Sequence, residues 1–155
     1  MSYYVHFGST LDPHLRVTSA LLTQILAEPA FNILRTREQL GYIVSCGPSN
    51  SAGQIETGMR ILVQSERAPA FLEERVDAFL DEIQETLLAM TDEEFNEHKH
   101  GLEKKWTEDR KNLKEEAARY WYQIDAGFLD FYRRTFYSYF LLLITCSSCF
   151  RPSER

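Results

Sequence analysis

A single stretch, FNILRTREQLGYIVSCG at positions 31–47, constrains the fold of this chain more than any other part of its sequence. Its apolar residues first follow the spacing of a helix and then run together as a short strand, with Gly41 at the change. Glycine commonly ends a helix in the left-handed conformation, so we expect the helix to end there. Arg35 and Tyr42 would then flank a turn between two rigid elements. Both side chains donate hydrogen bonds, which suits the stabilisation of an oxyanion. Spacing alone favours the simpler alternative, a surface arginine and a half-buried strand tyrosine without chemistry.

The residues before this stretch predict a strand followed by a long helix. Bulky residues alternate over Tyr3–Phe7, as in a strand. Asp12 followed by Pro13 is typical of a helix start, because the carboxylate caps the helix and proline lacks only an N–H that would be unpaired there. Pro29 removes a backbone hydrogen bond, so we expect the helix to bend or restart before position 31.

The residues after the stretch predict a β-hairpin and then helices. Strands over Tyr42–Cys46 and Gln54–Gln64 flank the turn-forming run GPSNSAG, which indicates a long hairpin loop. Apolar positions then recur every three or four residues over Ala70–Met90, as on one face of a helix. Thr91 and Glu94 have the spacing of a capping box and predict the next helix start.

A final predicted helix completes the fold class. Asn112 with Glu115 predicts its start, and Tyr120, Trp121 and Ile124 are expected to supply its packing contacts. The whole pattern predicts an α+β fold, in which a small, mainly antiparallel sheet is packed on one face by helices.

The pattern changes after Arg134. Residues 135–155, TFYSYFLLLITCSSCFRPSER, are apolar and aromatic and then polar, and no amphipathic period is visible. We interpret them as a divergent tail, either the aberrant end of a truncated or wrongly joined gene product or a membrane-associating segment. The apolar run is about a dozen residues, short of the roughly 20 that cross a bilayer, so no transmembrane segment is predicted. The single CxxC at Cys146 and Cys149 lacks a second ligand pair and carries little weight.

Composition limits the partners and the compartment. The net charge of −6 argues against a nucleic acid partner, which requires a basic face. Three cysteines form no disulfide framework, and no secretory signal is visible at the first residues. We therefore expect a cytoplasmic location, with mitochondria or another intracellular compartment as alternatives.

Several separated blocks of the sequence together resemble one protein family. The blocks FNILRTREQLGYIV, GPSNSAGQIETGMRILVQSE, MTDEEFNEHKHGLEKKW and NLKEEAARYWYQI follow the order of the last domain of the insulysin, nardilysin and pitrilysin family of zinc metalloendopeptidases. The resemblance runs from Tyr3 to Arg134. It implies an insulysin-like lobe domain over residues 1–134, incomplete at both ends, followed by the divergent tail over 135–155.

The zinc motif of that family is missing from this sequence. The motif HxxEH places two histidines one helical turn apart, with a glutamate that activates the metal-bound water. Of the histidines His6, His14, His98 and His100, none fits this pattern, and two positions two residues apart on a helix point in different directions. We expect no metal site and no cofactor in this chain. The resemblance implies that the zinc of the complete family enzyme belongs to a zinc-bearing N-terminal half.

The resemblance also assigns roles to two residues. Tyr42 matches a phenol that would stabilise the tetrahedral oxyanion, and Arg35 matches a guanidinium that would hold a substrate carbonyl or orient the tyrosine. The implied function is a substrate-binding, non-zinc C-terminal domain of a peptide-degrading metalloendopeptidase, inactive alone, whose partners are a peptide and the zinc-bearing half. Two alternatives are a truncated product without independent function and a subunit that completes a site with a separate zinc-bearing chain.

Overall fold

The computed structural model of the chain describes residues 1–50, 55–109, 111–125, 127, 129, 131 and 133–144. Its elements follow in chain order as β1 (Ser2–Ser9), α1 (Pro13–Ala30), a π-helical segment (Phe31–Arg37), β2 (Ile43–Asn50), β3 (Glu56–Gln64), α2 (Pro69–Ala89), α3 (Asp92–Thr107), α4 (Leu113–Asp125) and α5 (Arg133–Leu143).

The three strands form an antiparallel sheet in the order β1-β3-β2. Central strand β3 buries Met59, Ile61 and Val63 on the face that α1 covers, since alternate residues of a strand point to the same face. On the opposite face Tyr4 and Arg60 are exposed. This arrangement confirms the α+β prediction of an antiparallel sheet packed on one face by helices.

Helix α1 begins as its cap residues predict. The Asp12 carboxylate accepts the backbone N–H of His14 at 2.9 Å, and Pro13 is the first helical residue. By length and composition, the described stretch Pro13–Arg37 passes as a candidate membrane span. A core helix passes the same test, and here the apolar residues Val17 and Leu21 are fully buried against the rest of the fold.

Helix α1 contains Pro29 and continues directly into the π-helical segment at Phe31, so the predicted restart does not occur, and the helix ends before its predicted position. From Phe31 the chain winds as a wide π-helix, and the Glu38 N–H reaches the Ile33 carbonyl, five residues back, at 2.9 Å. The left-handed residue is Gln39, with φ of 52°, and the prediction that Gly41 takes this conformation is wrong. Sequence reasoning missed Gln39 because a non-glycine residue rarely adopts positive φ.

The predicted β-hairpin is confirmed, but its first strand is longer than predicted. Strand β2 continues past Cys46 to Asn50, which pairs with Thr57 on β3. Pro48 is accommodated because β2 is an edge strand, where a missing backbone donor faces away from the ladder. The first four residues of the turn-forming run, 47–50, therefore lie inside the strand, and its last three lie outside the described residues.

Helix α2 follows its predicted bounds to within one residue, and α3 begins where predicted. In the capping box at the start of α3, Glu94 N–H donates to the Thr91 hydroxyl at 3.3 Å, and Thr91 N–H donates to the Glu94 carboxylate at 3.0 Å. Helix α2 packs on the π-helical segment and on α1.

The predicted packing of α4 is wrong, although its predicted start is confirmed. Asn112 accepts the Glu115 N–H at 3.0 Å at that start. However, Trp121 is 66% exposed and Ile124 is also exposed, whereas Gln123 is buried. The apolar stripe was recognisable from its period, but a period does not say whether another element covers the stripe.

The first residues of the predicted tail form a packed helix. In α5 the buried side chains are Tyr137 and Leu141, with Ile144 just beyond, spaced by four and three residues. This helix contacts α1 and α3, and the Lys99 ammonium donates to the Ile144 carbonyl at 2.9 Å. No amphipathic period is visible in the sequence here because the outward positions Tyr139 and Leu142 are apolar as well, so the pattern did not reveal this packed helix. Cys146 and Cys149 lie outside the described residues.

Candidate functional site

Arg35 and Tyr42 lie together at the surface, and Arg35 also contacts a second aromatic residue, Phe31. The guanidinium carbon of Arg35 is 5.5 Å from the centre of the Tyr42 ring and 4.7 Å from the centre of the Phe31 ring. Tyr42 is 81% exposed and Phe31 is 40% exposed. A guanidinium in contact with two aromatic rings is oriented by cation–π attraction while its N–H groups stay available for a ligand.

Phe31 was missed by sequence reasoning, although a signal for it was present. It precedes Arg35 by four residues, and side chains at this spacing lie on one face of a helix. The cluster therefore comprises Phe31, Arg35 and Tyr42, with two side chains from the π-helical segment and one from the residue just before β2.

Two buried leucines anchor the backbone on either side of the cluster. Leu34 is fully buried, and Leu40 is almost so. The Leu40 N–H also donates to the Leu34 carbonyl at 3.0 Å, which closes the turn. These leucines point into the core, whereas Tyr42 is exposed and Arg35 is partly exposed.

Gly41 is required by a close backbone approach. A Cβ at this position would overlap the carbonyl oxygen of Gln64, at the end of β3. The missing side chain lets the chain cross β3 immediately before Tyr42. It also leaves an open depression of about 460 Å³ beside the tyrosine, lined by Leu40, Gly41, Tyr42, Gln64, Ser65, Glu66 and Arg67.

Two arginine–carboxylate pairs connect this segment to α2. Arg75 donates to both carboxylate oxygens of Glu38, from Nε at 2.8 Å and from Nη2 at 2.6 Å. Arg37 donates to both oxygens of Glu82, from Nη1 at 2.8 Å and from Nη2 at 2.5 Å. Two-point pairs fix the orientation of both partners as well as their distance.

The same pairs shift the ionisation of their members. Hydrogen bonds from Arg75, helped by the charge of Arg37, hold the pKa of Glu38 below its ordinary value although partial burial opposes this. Hydrogen bonds from Arg37 likewise lower the pKa of Glu82. Both carboxylates are therefore ionised at neutral pH, and the pairs are intact there.

The described residues do not fit a metal ion. Over the described ranges, no group of three or more His, Cys, Asp or Glu side chains could hold one. Cys46, on β2, is a poor ligand or nucleophile because burial raises the pKa of its thiol to about 11. That any zinc is held by other polypeptide stays a prediction.

The fold and the sequence together define a lobe domain of a metallopeptidase. Residues 21–121 match the family described as PQQ synthase PqqF-like, C-terminal lobe domain 4. The chain belongs to this family, within the homologous insulysin and pitrilysin metallopeptidases.

Individual relatives agree with this assignment. Human insulin-degrading enzyme is 44% identical over 104 residues, which cover 67% of this chain and 10% of that protein. The A-factor-processing enzyme of Saccharomyces cerevisiae is 38% identical over 77% of this chain and 12% of its own length. The crystal structure of pitrilysin superposes with a TM-score of 0.81 at 31% identity, over 96% of this chain and 16% of the other. This chain thus spans between a tenth and a sixth of the length of these relatives.

Proposed function

We propose that this chain is a peptide-binding lobe of an insulysin-like zinc metalloendopeptidase and has no peptidase activity alone. The observation that carries the proposal is the placement of Arg35 and Tyr42 side by side on an open surface. Two hydrogen-bond donors side by side on an exposed surface suit a peptide carbonyl oxygen. The names of two relatives, an insulin-degrading enzyme and an A-factor-processing enzyme, agree with a peptide ligand.

The chemistry follows from the two donors. The Tyr42 hydroxyl donates to the carbonyl oxygen of a bound peptide, and the Arg35 guanidinium donates to the same or the neighbouring carbonyl. As that oxygen gains negative charge during cleavage, both hydrogen bonds strengthen, which is how a preorganised donor pair accelerates a reaction. Phe31 holds the guanidinium in place and offers an apolar surface to the peptide.

The lack of independent activity is proposed from the sequence. None of the four histidines occurs in an HxxEH motif, so the group that activates water has to come from a zinc-bearing half. That half is either a further part of a longer polypeptide or a separate chain. We assign the protein to the cytoplasm or another intracellular compartment, in agreement with the free thiol of Cys46.

Peptide binding by the purified chain tests the first part of the proposal. Fluorescence anisotropy with a labelled, unstructured peptide should show saturable binding. Arg35→Ala and Tyr42→Phe should each weaken it by about two- to tenfold, since each removes a hydrogen bond worth roughly 0.5–1.5 kcal/mol. Tyr4→Phe is the matched control, because Tyr4 is an exposed tyrosine on the outer sheet face. Equal affinity of the Arg35 and Tyr42 variants and the wild type would refute the assignment.

Turnover of a quenched fluorescent peptide tests the second part. The purified chain alone should show no turnover after incubation with zinc. If turnover appears when a zinc-bearing half is added, Tyr42→Phe should lower its rate by about 10²–10³-fold, the usual effect of losing one oxyanion donor. Turnover by the chain alone, with bound zinc in equal proportion, would contradict the proposal.

A further inference from the structure

We propose that Glu38 and Arg75 are positioning residues, which hold Arg35 and Tyr42 in the arrangement that binds a peptide. This inference rests on the proposed function. Neither residue belongs to the aromatic cluster. Both act on it through the backbone of the turn between Arg35 and Tyr42, because Glu38 lies within that turn and Arg75 lies on α2.

The first support is the place of Glu38 in the turn. Glu38 follows the π-helical segment directly, and the next residue, Gln39, is left-handed. The turn is therefore anchored in the core by Leu34 and Leu40. Between them, Gln39 has a left-handed backbone conformation that residues other than glycine disfavour. The Glu38 side chain is only 12% exposed, so its carboxylate points back toward the protein and ties the middle of the turn.

The second support is that the other end of the tie is rigid. Arg75 lies on α2 between two residues that belong to the buried core, Leu72 and Val76. The second pair, Arg37 with Glu82, connects the same turn to the same helix, α2. Two two-point contacts between the turn and one helix restrict rotation as well as separation.

The third support concerns the charge of Arg35. Glu38 follows Arg35 by three residues, a spacing at which opposite charges commonly pair on a helix. Both oxygens of Glu38 are instead occupied by Arg75. Within the described part of the chain, Arg35 forms no ion pair and contacts the rings of Phe31 and Tyr42. The Glu38–Arg75 pair thus keeps the Glu38 carboxylate from pairing with the Arg35 guanidinium, which stays available for the peptide.

Peptide affinity of variants provides the first test. Glu38→Gln should weaken binding by roughly two- to thirtyfold, the range seen when residues coupled to a site are changed. Arg75→Lys keeps the charge but loses the two-point contact, so it should fall between Glu38→Gln and the wild type. Tyr3→Phe is the matched control, because the Tyr3 hydroxyl also holds α2, through Asp77 at 2.6 Å, but does so from β1. It should leave the affinity unchanged. Circular dichroism would verify that each variant is folded.

The background variant Arg35→Ala with Tyr42→Phe separates positioning from general destabilisation. In that background Glu38→Gln should cause no further loss of affinity, because the groups that it positions are absent. An equal loss in both backgrounds, or wild-type affinity of Glu38→Gln, would overturn the inference. Loss of affinity in the Arg35 and Tyr42 variants, but not in Glu38→Gln, would overturn the inference and leave the proposed function standing.

A measurement without peptide keeps the two proposals independent. Nuclear Overhauser contacts between the Arg35 side chain and the Tyr42 ring should be present in the wild type and in Tyr3→Phe. They should be weakened or lost in Glu38→Gln. Their persistence in Glu38→Gln would refute the positioning role even if the chain bound no peptide at all.

Discussion

The ring centres of Trp106 and Tyr137 lie 5.1 Å apart, with the ring planes inclined at 50°. This contact joins α5 to α3 and buries Tyr137, while the Arg16 guanidinium lies 5.4 Å from the centre of the same tyrosine ring. A segment that the sequence pattern assigned to a divergent tail therefore takes part in the core.

Removing this aromatic side chain should destabilise the whole domain. We expect Tyr137→Ala to lower the free energy of unfolding by about 3–5 kcal/mol, as for other large-to-small changes of buried aromatic residues. Tyr139→Ala is the matched control, since Tyr139 lies two residues away and is 64% exposed. Urea denaturation followed by circular dichroism would measure both. Equal midpoints for the two variants would show that α5 does not stabilise the fold.

Gly41, just before β2, and Gly47, within β2, should differ in how well each position accepts a methyl group. At Gly41 a Cβ overlaps the Gln64 carbonyl, so Gly41→Ala should cost about 1–3 kcal/mol and displace Tyr42. At Gly47 a Cβ meets nothing within 4 Å among the described residues, so Gly47→Ala should be tolerated within about 0.5 kcal/mol. Thermal denaturation of the two variants would check this. A stable Gly41→Ala would contradict the close approach of the two backbones.

The pair of Glu38 and Arg75 should make stability depend on pH. The pKa of Glu38 is lower in the folded protein than in the unfolded chain, where it is about 4.3. Its contribution is therefore fully present above that value and is lost as the pH falls through the lower folded pKa. We expect Glu38→Gln to be less stable than the wild type by about 1.5–3 kcal/mol at pH 7.

Acid should reduce this difference. Denaturation curves of the wild type and Glu38→Gln at pH 7 and at pH 3 should converge at the lower pH. Glu82 and Glu94, whose pKa values are also lowered, would destabilise both proteins in acid to the same extent. A difference that stays constant between the two pH values would mean that the charge of Glu38 contributes nothing.

Cys46 should react slowly with thiol reagents in the folded protein. With its pKa raised to about 11, only about a thousandth of this thiol is ionised at pH 8, and the thiolate is the reactive form. Labelling with a maleimide dye should be measured in the variant Cys146→Ser with Cys149→Ser, which leaves Cys46 as the one thiol. Denaturant should accelerate the labelling strongly. Equal rates in both states would contradict the burial of Cys46.

The elements that local chemistry dictates could be predicted from the sequence. Asp12 with Pro13, and Thr91 with Glu94, place helix starts because each cap satisfies backbone donors within a few residues. The fold class followed because alternating and helical periods are visible in separate parts of the chain. Of the cluster, Arg35 and Tyr42 were predicted, and the family resemblance supplied their roles.

The errors concern features that depend on distant parts of the chain. Gly41 is glycine because of Gln64, 23 residues later, and a local rule assigned it a left-handed turn instead. Whether an apolar face of a helix is buried depends on which other element covers it. The residues adjacent in sequence therefore do not show that Trp121 is exposed and Tyr137 is buried. The pairs that Glu38 and Arg37 form with α2 were invisible for the same reason.

Because the segment Phe31–Arg37 is π-helical, the geometry of the site depends on how many residues this segment contains. A π-helical turn holds an additional residue compared with an α-helical one, so a single deletion within it would restore ordinary α-helical bonding. The helical residues on one side of the deletion would then be rotated by about 100° about the helix axis, so Arg35 would no longer lie beside Tyr42. A gain or loss of one residue between positions 31 and 42 is therefore expected to disturb the site more than exchange of an exposed residue of the segment, such as Asn32 or Thr36.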